Sequence, residues 1–465
     1  MSGSVGKGGT AGPSPFYRVI PVAEARERLW QALGVRPDGE FGALGMSAAS
    51  GADGWSGALS RRPEAVNLAE ALGRILAEDV VAGADIPGFR RSSVDGYAVR
   101  SRDAFGASDS LPAFFDVVGE VRMGERATVL VGQGRAVYVP TGGMLPDGAD
   151  SVVMIEHTQA AGQNAVEVVK PVAPLANVVE ASEDVAEGTL LLRAGRRLRA
   201  QDLGALAALG RTGVRVFARP RVGILSTGDE IVPVESALEP GKVRDVNTYS
   251  LGAAVAAAGG VPVARGVIPD RLEDLSRAAA SLIGEVDVLV ISGGSSVGER
   301  DHAARVLSGL GEPGIIVHGV NIRPGRPTII GVANGKPIFG LPGHPVSAIV
   351  TFSLFVKPAI DLLSGWTARP ADAWPRRVEA VLAANVPSEI GREDFVRVAV
   401  APVAPAVSPA QAVPPAPAVE PGWEATPIFG KSGLISNMVR ADGILAVPAQ
   451  SEGFKRGERV IIELF

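Results

Sequence analysis

Several short segments, each closing an apolar run, collect the residue types that bind phosphates, oxyanions and hard cations. LSTGDEIVP, Leu225 to Pro233, places Gly228, Asp229 and Glu230 directly behind a strand-like run. Adjacent carboxylates in a glycine-containing loop suit Mg2+, which takes oxygen ligands and keeps several waters, and they equally suit a turn or a helix start. SGGSSVGERD, Ser292 to Asp301, carries Gly293, Gly294, Ser295 and Ser296 between a strand and a helix. There amide and hydroxyl donors can hold a phosphate, although a generic glycine-rich turn has the same composition. Asp301 reads as a helix cap or as a metal or substrate carboxylate. In NIRPGRPTIIG, Asn321 to Gly331, Arg323 and Arg326 flank Pro324-Gly325. Two guanidiniums in a stiff turn make a pocket for a small tetrahedral oxyanion; the alternative is two solvated surface arginines. GLPGHPVSA, Gly340 to Ala348, brackets His344 with Pro342, Gly343 and Pro345 ahead of a helix whose free N–H groups could serve the same anion. His344 alone suits a structural hydrogen bond. Asp95 in RSSVDGYAVR, Thr141 in VPTGGMLPDGAD, Glu156 in MIEH and Asp184 in ASEDV are each compatible with turn chemistry alone.

The elements that must carry these loops divide by texture. From Arg219-Pro220 onward strand and helix patterns alternate, the signature of parallel α/β units. Strands are expected over Val222 to Leu225, Val261 to Val267, Asp287 to Ile291, Ile315 to His318 and Pro337 to Phe339. Helices are expected over Asn247 to Ala258, Leu272 to Ile283, Asp301 to Leu310 and Pro345 to Leu363. Ligands of such sheets bind at the carboxyl ends of the strands, which is where the loops above fall. Before this region, Tyr17 to Gly34 repeats apolar residues at helical period, and VNLAEALGRILAEDV after Glu64 does so again. FFDVVGEV, RAVYVP, DSVVMIEH and AVEVVK predict a compact β unit between Gly96 and Lys170. LRAQDLGALAALG, Leu198 to Gly210, returns to helix, so the β unit reads as an insertion into a discontinuous helical domain. RRVEAVLA, FVRVAV, GILAVP and ERVIIEL predict a small β-barrel-like tail.

The expected division is a lead-in over 1–15, helical domain I over 16–86 and 184–219, and β-rich domain II over 87–183. An α/β domain III follows over 220–366 and a C-terminal β domain IV over 367–465. Val35 to Pro63, Gly-, Ala- and Ser-rich, and Ala401 to Gly422, Pro/Ala-rich, read as flexible insertions within 33–63 and 401–422.

Composition bounds the chemistry. Lys plus Arg number 45 against 50 Asp plus Glu in 465 residues, a net charge of −5, so any polyanion site must be local and nucleic acid is not an expected partner. The absence of cysteine removes disulfides, thiolate zinc sites, iron–sulfur clusters and cysteine nucleophiles. Four histidines make a histidine cage improbable. No stretch reads as ~20 uninterrupted apolar residues, the richest being Leu251 to Ala264, and the polar N-terminus lacks a signal-peptide core. A cytoplasmic protein with no membrane partner is the expectation.

Taken together, DIPGFRRSSVDGYAVR, PTGGMLPDGADSVVMIE, ILSTGDEIV, DVLVISGGSSVGERD, IRPGRPTIIG, GLPGHPVSAIVTF and KSGLISNMVRADGILAVP resemble, in order, the molybdopterin molybdenumtransferases, the MoeA proteins and gephyrin E domains. The resemblance implies a multidomain α/β plus β architecture with a MogA-like central domain, assembled as an elongated homodimer. The active site is shared between subunits. The implied reaction joins molybdate to the dithiolene of adenylylated molybdopterin and releases AMP, with Mg2+ as cofactor. By motif position, Asp95, Thr141, Asp184, Glu230, Asp270 and Asp301 carry over as catalytic residues, Glu230 and Asp301 holding the metal. Gly228, Asp229, Ser292, Gly293, Gly294, Ser295, Ser296, Pro342, Gly343 and Pro345 carry over along the pterin nucleotide. Arg323, Arg326, Pro327, Ser347, Arg397 and Ser436 are similar to a molybdate site, with arginines where the family usually has lysines. His344 stands where asparagine is usual, Arg271 where a second aspartate is frequent, and Ser295 where valine is common. Alternatives are a tungstate-preferring insertase and a non-catalytic cofactor carrier or scaffold. The α/β domain also resembles the family's adenylyltransferase partner. That adenylyltransferase and molybdoenzyme chaperones are the implied protein partners.

Overall fold

Strands buried on both faces must be apolar along their whole length, and three such runs form the centre of the α/β domain. Arg221–Thr227, Val288–Ser292 and Lys336–Leu341 lie side by side and parallel, with Val261–Ile268 parallel outside the first. Ile329–Ala333 and Pro313–His318 complete a six-stranded sheet by antiparallel pairing. Ile329–Ala333 is absent from the sequence expectation. It forms a hairpin with Lys336–Leu341 through Asn334-Gly335, both at positive φ, the Asn-Gly signature of a two-residue hairpin turn. The structure is a computed structural model and describes residues 18–35, 62–294, 301–366, 377–403 and 422–465. The 1–15 lead-in and the bodies of the 33–63 and 401–422 insertions lie outside these residues, as do Ser295 and Ser296.

Each face of the sheet has its own apolar layer. Leu225, Leu289, Ile291 and Ile338 pack on helices Leu272–Ile283 and His302–Ser308 through Leu275, Leu282, Val306 and Leu307. Val222, Ile224, Val290 and Phe339 pack on Leu251 and Val255 of helix Asn247–Ala257 and on Phe352 and Phe355. Each fully buried Leu, Ile or Phe adds about 1.5–3 kcal/mol. The long helical run Pro345–Leu363 has a π turn over Phe352–Val356, which accommodates the missing N–H of Pro358. Among the described residues it is the one helix long and apolar enough to cross a membrane, a stretch longer than the Leu251 to Ala264 run singled out from sequence. Val346, Ala348, Phe355 and Ile360 bury it in the core.

Two helical readings change. The first helix, Val22–Ala32, forms as expected, but its stripe of Val22, Ala25 and Leu29 closes over the α/β core, the apolar surface available to it. The segment after Glu64 is not a helix. Pro63–Asn67 is a strand paired with Gly213–Phe217, a single 3-10 turn follows, and Val80–Val81 pairs with Leu190–Leu192. Gly73, at φ +73°, follows the turn, and Leu68, Ala71, Leu76 and Val80 pack on Leu198, Leu206 and Val216 without a continuous helix. Helix Ala200–Ala208 belongs to this small unit.

Between the two halves of that unit, Gly96–Val99, Ala113–Glu120, Arg135–Val139, Ser151–Met154, Thr158–Ala160 and Ala165–Val168 make a separate six-stranded sheet. In the tail, Glu393–Pro402, Trp423–Ile428, Arg377–Leu382, Arg459–Leu464 and Gly443–Val447 pair in that order. The last returns to the first, closing a barrel. Ile322–Arg323 of the α/β domain joins the barrel as a short parallel strand, setting Arg323 opposite Asp394.

Candidate active site

The ends of the three central strands approach at backbone distance because the chain places glycine there. Gly293 has φ +94°, and a Cβ on it would overlap the carbonyl oxygen of Thr227. Gly343 rests on Gly293, its virtual Cβ 3.4 Å from the Gly293 Cα. Asn247, buried at the start of its helix, donates from Nδ2 to Ser292 Oγ and to the Gly343 carbonyl, each at 2.8 Å. One amide thereby ties the loops behind Val288–Ser292 and Lys336–Leu341. A buried set beside it fixes the first loop: Ser226 Oγ donates to Asp245 Oδ1 at 3.0 Å, and the Thr248 N–H donates to the same oxygen at 3.1 Å.

The carboxylates sit around this cradle in different states. Asp270 accepts from Thr227 Oγ1 at 3.3 Å and lies against Gly294. Asp301 caps helix His302–Ser308, Oδ1 accepting from the Ala304 N–H at 3.0 Å, while Oδ2 lies 3.3 Å from His318 Nε2. Asp229 and Glu230 are exposed on the loop that begins at Gly228, with Lys242 donating to the Asp229 carbonyl at 2.7 Å. Pro342 is buried, and Pro345 opens helix Pro345–Thr351 at a position whose N–H has no helical partner. Among the described residues no three His, Cys, Asp or Glu side chains gather into a metal cage.

Asp95 and Thr141 meet on the β-rich sheet, where Asp95 Oδ1 accepts the Thr141 N–H at 2.7 Å; both are exposed. Asp184 is also exposed, and its N–H donates to the Ile86 carbonyl. Among the described residues none of these three hydrogen-bonds to the α/β domain.

Basic residues lie on both elements where the α/β domain meets the barrel. Arg323 and Arg326 are exposed on the turn around Gly325, which packs against Thr351, one helical turn beyond buried Ser347. Pro327 is half-buried at the end of that turn. Ser432 closes the helix start, its carbonyl accepting the Val346 N–H and its hydroxyl 2.9 Å from His344 Nδ1. Arg397 lies three residues beyond Asp394 on the barrel strand and is 6% exposed. Its Nη2 donates to the carbonyls of Ile428 and Gly430, and its Nε has no partner among the described residues. Burial lowers this guanidinium from its ordinary pKa, and it forms no ion pair with Asp or Glu among the described residues. Ser436 is exposed at the start of the short barrel helix Ser436–Val439.

Sequence reasoning passed over Thr227, Asp245 and Asn247. The Asp-x-Asn spacing of RDVNT just ahead of a helix was an available signal, since such residues cap and fold back on their own backbone.

A sheet with a glycine cradle at its carboxyl edge and a barrel bearing a buried arginine with no ion pair among the described residues describe an α/β protein with appended β domains. The MoeA N-terminal region (domain I and II) model matches residues 20–210, the probable molybdopterin binding domain model residues 223–362, and the MoeA C-terminal region (domain IV) model residues 379–465. Proteins named molybdopterin molybdenumtransferase are 33% identical. That of Staphylococcus epidermidis aligns over 86% of this chain and 90% of its own length, that of Bacillus subtilis over 86% and 89%. The crystal structure of the molybdopterin biosynthesis MoeA protein of Pyrococcus horikoshii superposes with a TM-score of 0.76 at 32% identity, over 96% of this chain and 100% of the other. The chain belongs to the MoeA family.

Proposed function

We propose that this protein is a transferase of molybdenum cofactor biosynthesis that joins molybdate to adenylylated molybdopterin and releases AMP. The observation that carries the oxyanion half is Arg397, a buried guanidinium with an unsatisfied Nε and no carboxylate partner among the described residues. An uncompensated buried cation is costly, and a bound tetrahedral dianion would supply the missing charge. Arg323 and Arg326 on the adjoining turn and Ser347, Pro327 and Ser436 would complete the pocket.

The pterin nucleotide would lie along Gly228, Asp229, Ser292, Gly293 and Gly294, between that loop and Pro342, Gly343 and Pro345. There glycine lets the backbone approach and helix N-termini favour phosphate. A divalent cation fits the oxygen-only donor set. Glu230 and Asp301 would hold Mg2+ with substrate phosphates and water completing its shell, since Mg2+ keeps several waters and needs no closed protein cage. When bound, the cation polarises the adenylyl phosphate. Asp301 is held in place by its helix cap and by His318, and Asp270 by Thr227, which is compatible with the roles proposed for them. Among the described residues Asp95, Thr141 and Asp184 make no hydrogen bond to their own α/β domain, which suits a homodimer in which the partner's β-rich unit completes the cleft.

The deciding experiment is AMP release from adenylylated molybdopterin, with molybdate and tungstate compared side by side. Release dependent on molybdate supports the assignment, and a tungstate preference redirects it. No turnover with either anion and Mg2+ would leave a cofactor carrier, while adenylylated pterin made from ATP would make the protein an adenylyltransferase.

A further inference from the structure

The barrel holds a second buried donor beside Arg397. Asn437 is 3% exposed, its Oδ1 accepts from Arg440 Nη2 at 2.7 Å, and its Nδ2 has no partner among the described residues. A guanidinium only donates, so this bond fixes which way the amide faces: oxygen toward Arg440, NH2 away from it. The free Nδ2 lies against Gly430, where a Cβ on the glycine would overlap it. The carbonyl of the same glycine accepts from Arg397 Nη2 at 3.2 Å. Arg397 and Asn437 therefore both touch Gly430, and each has a buried donor, Nε of the one and Nδ2 of the other, without a partner among the described residues. The carbonyls of Ile428 and Gly430 accept from Arg397 Nη2 and not from its Nε or from Asn437 Nδ2. Two unsatisfied donors at one glycine are uncommon in a native interior and point to a ligand made only of acceptors.

We propose that Asn437 is a donor of the oxyanion pocket, locked by Arg440 so that the pocket selects unprotonated tetrahedral dianions, molybdate and tungstate among them, over hydrogen phosphate. This rests on the assignment of Arg397 to the molybdate pocket. At neutral pH molybdate presents four oxygens that only accept. Hydrogen phosphate carries an O–H that needs an acceptor. With Asn437 Oδ1 committed to Arg440, the amide cannot turn its oxygen toward that O–H, and a polar group left unpaired on burial weakens binding by about tenfold or more. Arg440 is a positioning residue: exposed itself, it sets which end of a buried amide meets the ligand.

The test titrates molybdate and inorganic phosphate separately into the full chain by calorimetry, for the native protein and for Asn437→Asp, Arg440→Met and Arg397→Ala. Asn437→Asp, which exchanges the donor for a carboxylate of the same shape, should weaken molybdate at least about tenfold. Arg440→Met frees the amide to rotate, so it should weaken molybdate about threefold and reduce the molybdate-to-phosphate affinity ratio by at least about fivefold. A change in that ratio is a readout that general destabilisation does not produce. Should Asn437→Asp fail to fold, Arg440→Met, at an exposed position, carries the test. Native affinity and native selectivity in Arg440→Met and in any folded Asn437→Asp, alongside lost molybdate binding in Arg397→Ala, would overturn the role of Asn437 and leave the pocket standing. Native molybdate binding in Arg397→Ala would overturn the pocket and this inference together.

Discussion

Asp301 and His318 meet inside the α/β domain, Oδ2 of the carboxylate 3.3 Å from Nε2 of the imidazole, while the other carboxylate oxygen caps a helix. Asp301 therefore has a structural duty independent of any chemistry, and the two separate by substitution. Asparagine caps a helix about as well as aspartate, whereas alanine costs about 1 kcal/mol or more. Asp301→Asn should keep its melting temperature within a few degrees of native while AMP release falls by at least about tenfold for want of the charge. Native turnover in this variant would reduce Asp301 to a helix cap.

Glu230 has no comparable duty. It is exposed on the loop behind Arg221–Thr227, and among the described residues only its backbone carbonyl is used, by the Val243 N–H. Glu230→Gln should therefore fold normally and still bind adenylylated pterin, but release AMP slowly. Single-turnover AMP release at saturating molybdate measures this, and a native rate removes Glu230 from the reaction.

Gly293 is the tightest point of the cradle. At φ +94°, with the Thr227 carbonyl where a Cβ would stand, Gly293→Ala must both adopt a disfavoured backbone and push two strand ends apart. The expected cost is at least about 2 kcal/mol, read as a lower urea midpoint, together with weaker pterin binding as the Gly293 and Gly343 loops separate. A midpoint unchanged from native would show that this approach is not needed.

The parallel strands were legible because a strand buried on both faces has to be apolar throughout, and Val222 to Leu225 and Asp287 to Ile291 have that texture. The region after Glu64 misled because apolar residues three and four apart serve a strand, a turn and a second short strand equally well when one small core receives them all. The Ile329–Ala333 strand left a readable mark, Asn334-Gly335, but its own residues follow an arginine turn and look like a continuation of that loop. The glycine loops stood out by composition and by their place behind strands, whereas Asp95 and Thr141 were singled out as a pair only through motif order. What spacing could not convey is contact across the chain: Asn247 meets Gly343 and Asp301 meets His318 only once the sheet is formed. Likewise, Arg397 becomes a buried, unpaired cation only when the barrel closes around it.

Asp202 gives the fold a defined acid sensitivity. Burial alone would raise its pKa, but hydrogen bonds from Arg196 and Arg199 outweigh that and hold the carboxyl below the ordinary aspartate range. A folded pKa below the unfolded value, about 3.9, contributes stability that is fully present above the unfolded pKa and is lost as pH falls through the folded one. Asp202→Ala should therefore cost about 3 kcal/mol at neutral pH, and the gap from native should hold to about pH 5 and narrow progressively as pH falls below about 4. Thermal melts of both proteins across that range check the sign, and a gap that widens in acid contradicts it.

Arg323 and Arg326 differ from Arg397 in being exposed, which makes them the cleaner probes of the oxyanion pocket. Arg323 is placed by a backbone ladder opposite Asp394 and Arg326 by the turn packed on Thr351, so neither side chain is needed for folding. Arg323→Ala and Arg326→Ala should each change stability by no more than about 0.5 kcal/mol. Both should lose molybdate-dependent cofactor formation while pterin binding, which uses the loops at Gly293 and Gly343, stays at its native level. Arg326→Lys retains the charge but not the planar two-pronged donor geometry, so its molybdate affinity should fall between native and alanine. Molybdate affinity unchanged in both alanine variants would remove the turn from the pocket and leave the barrel residues to hold the anion alone.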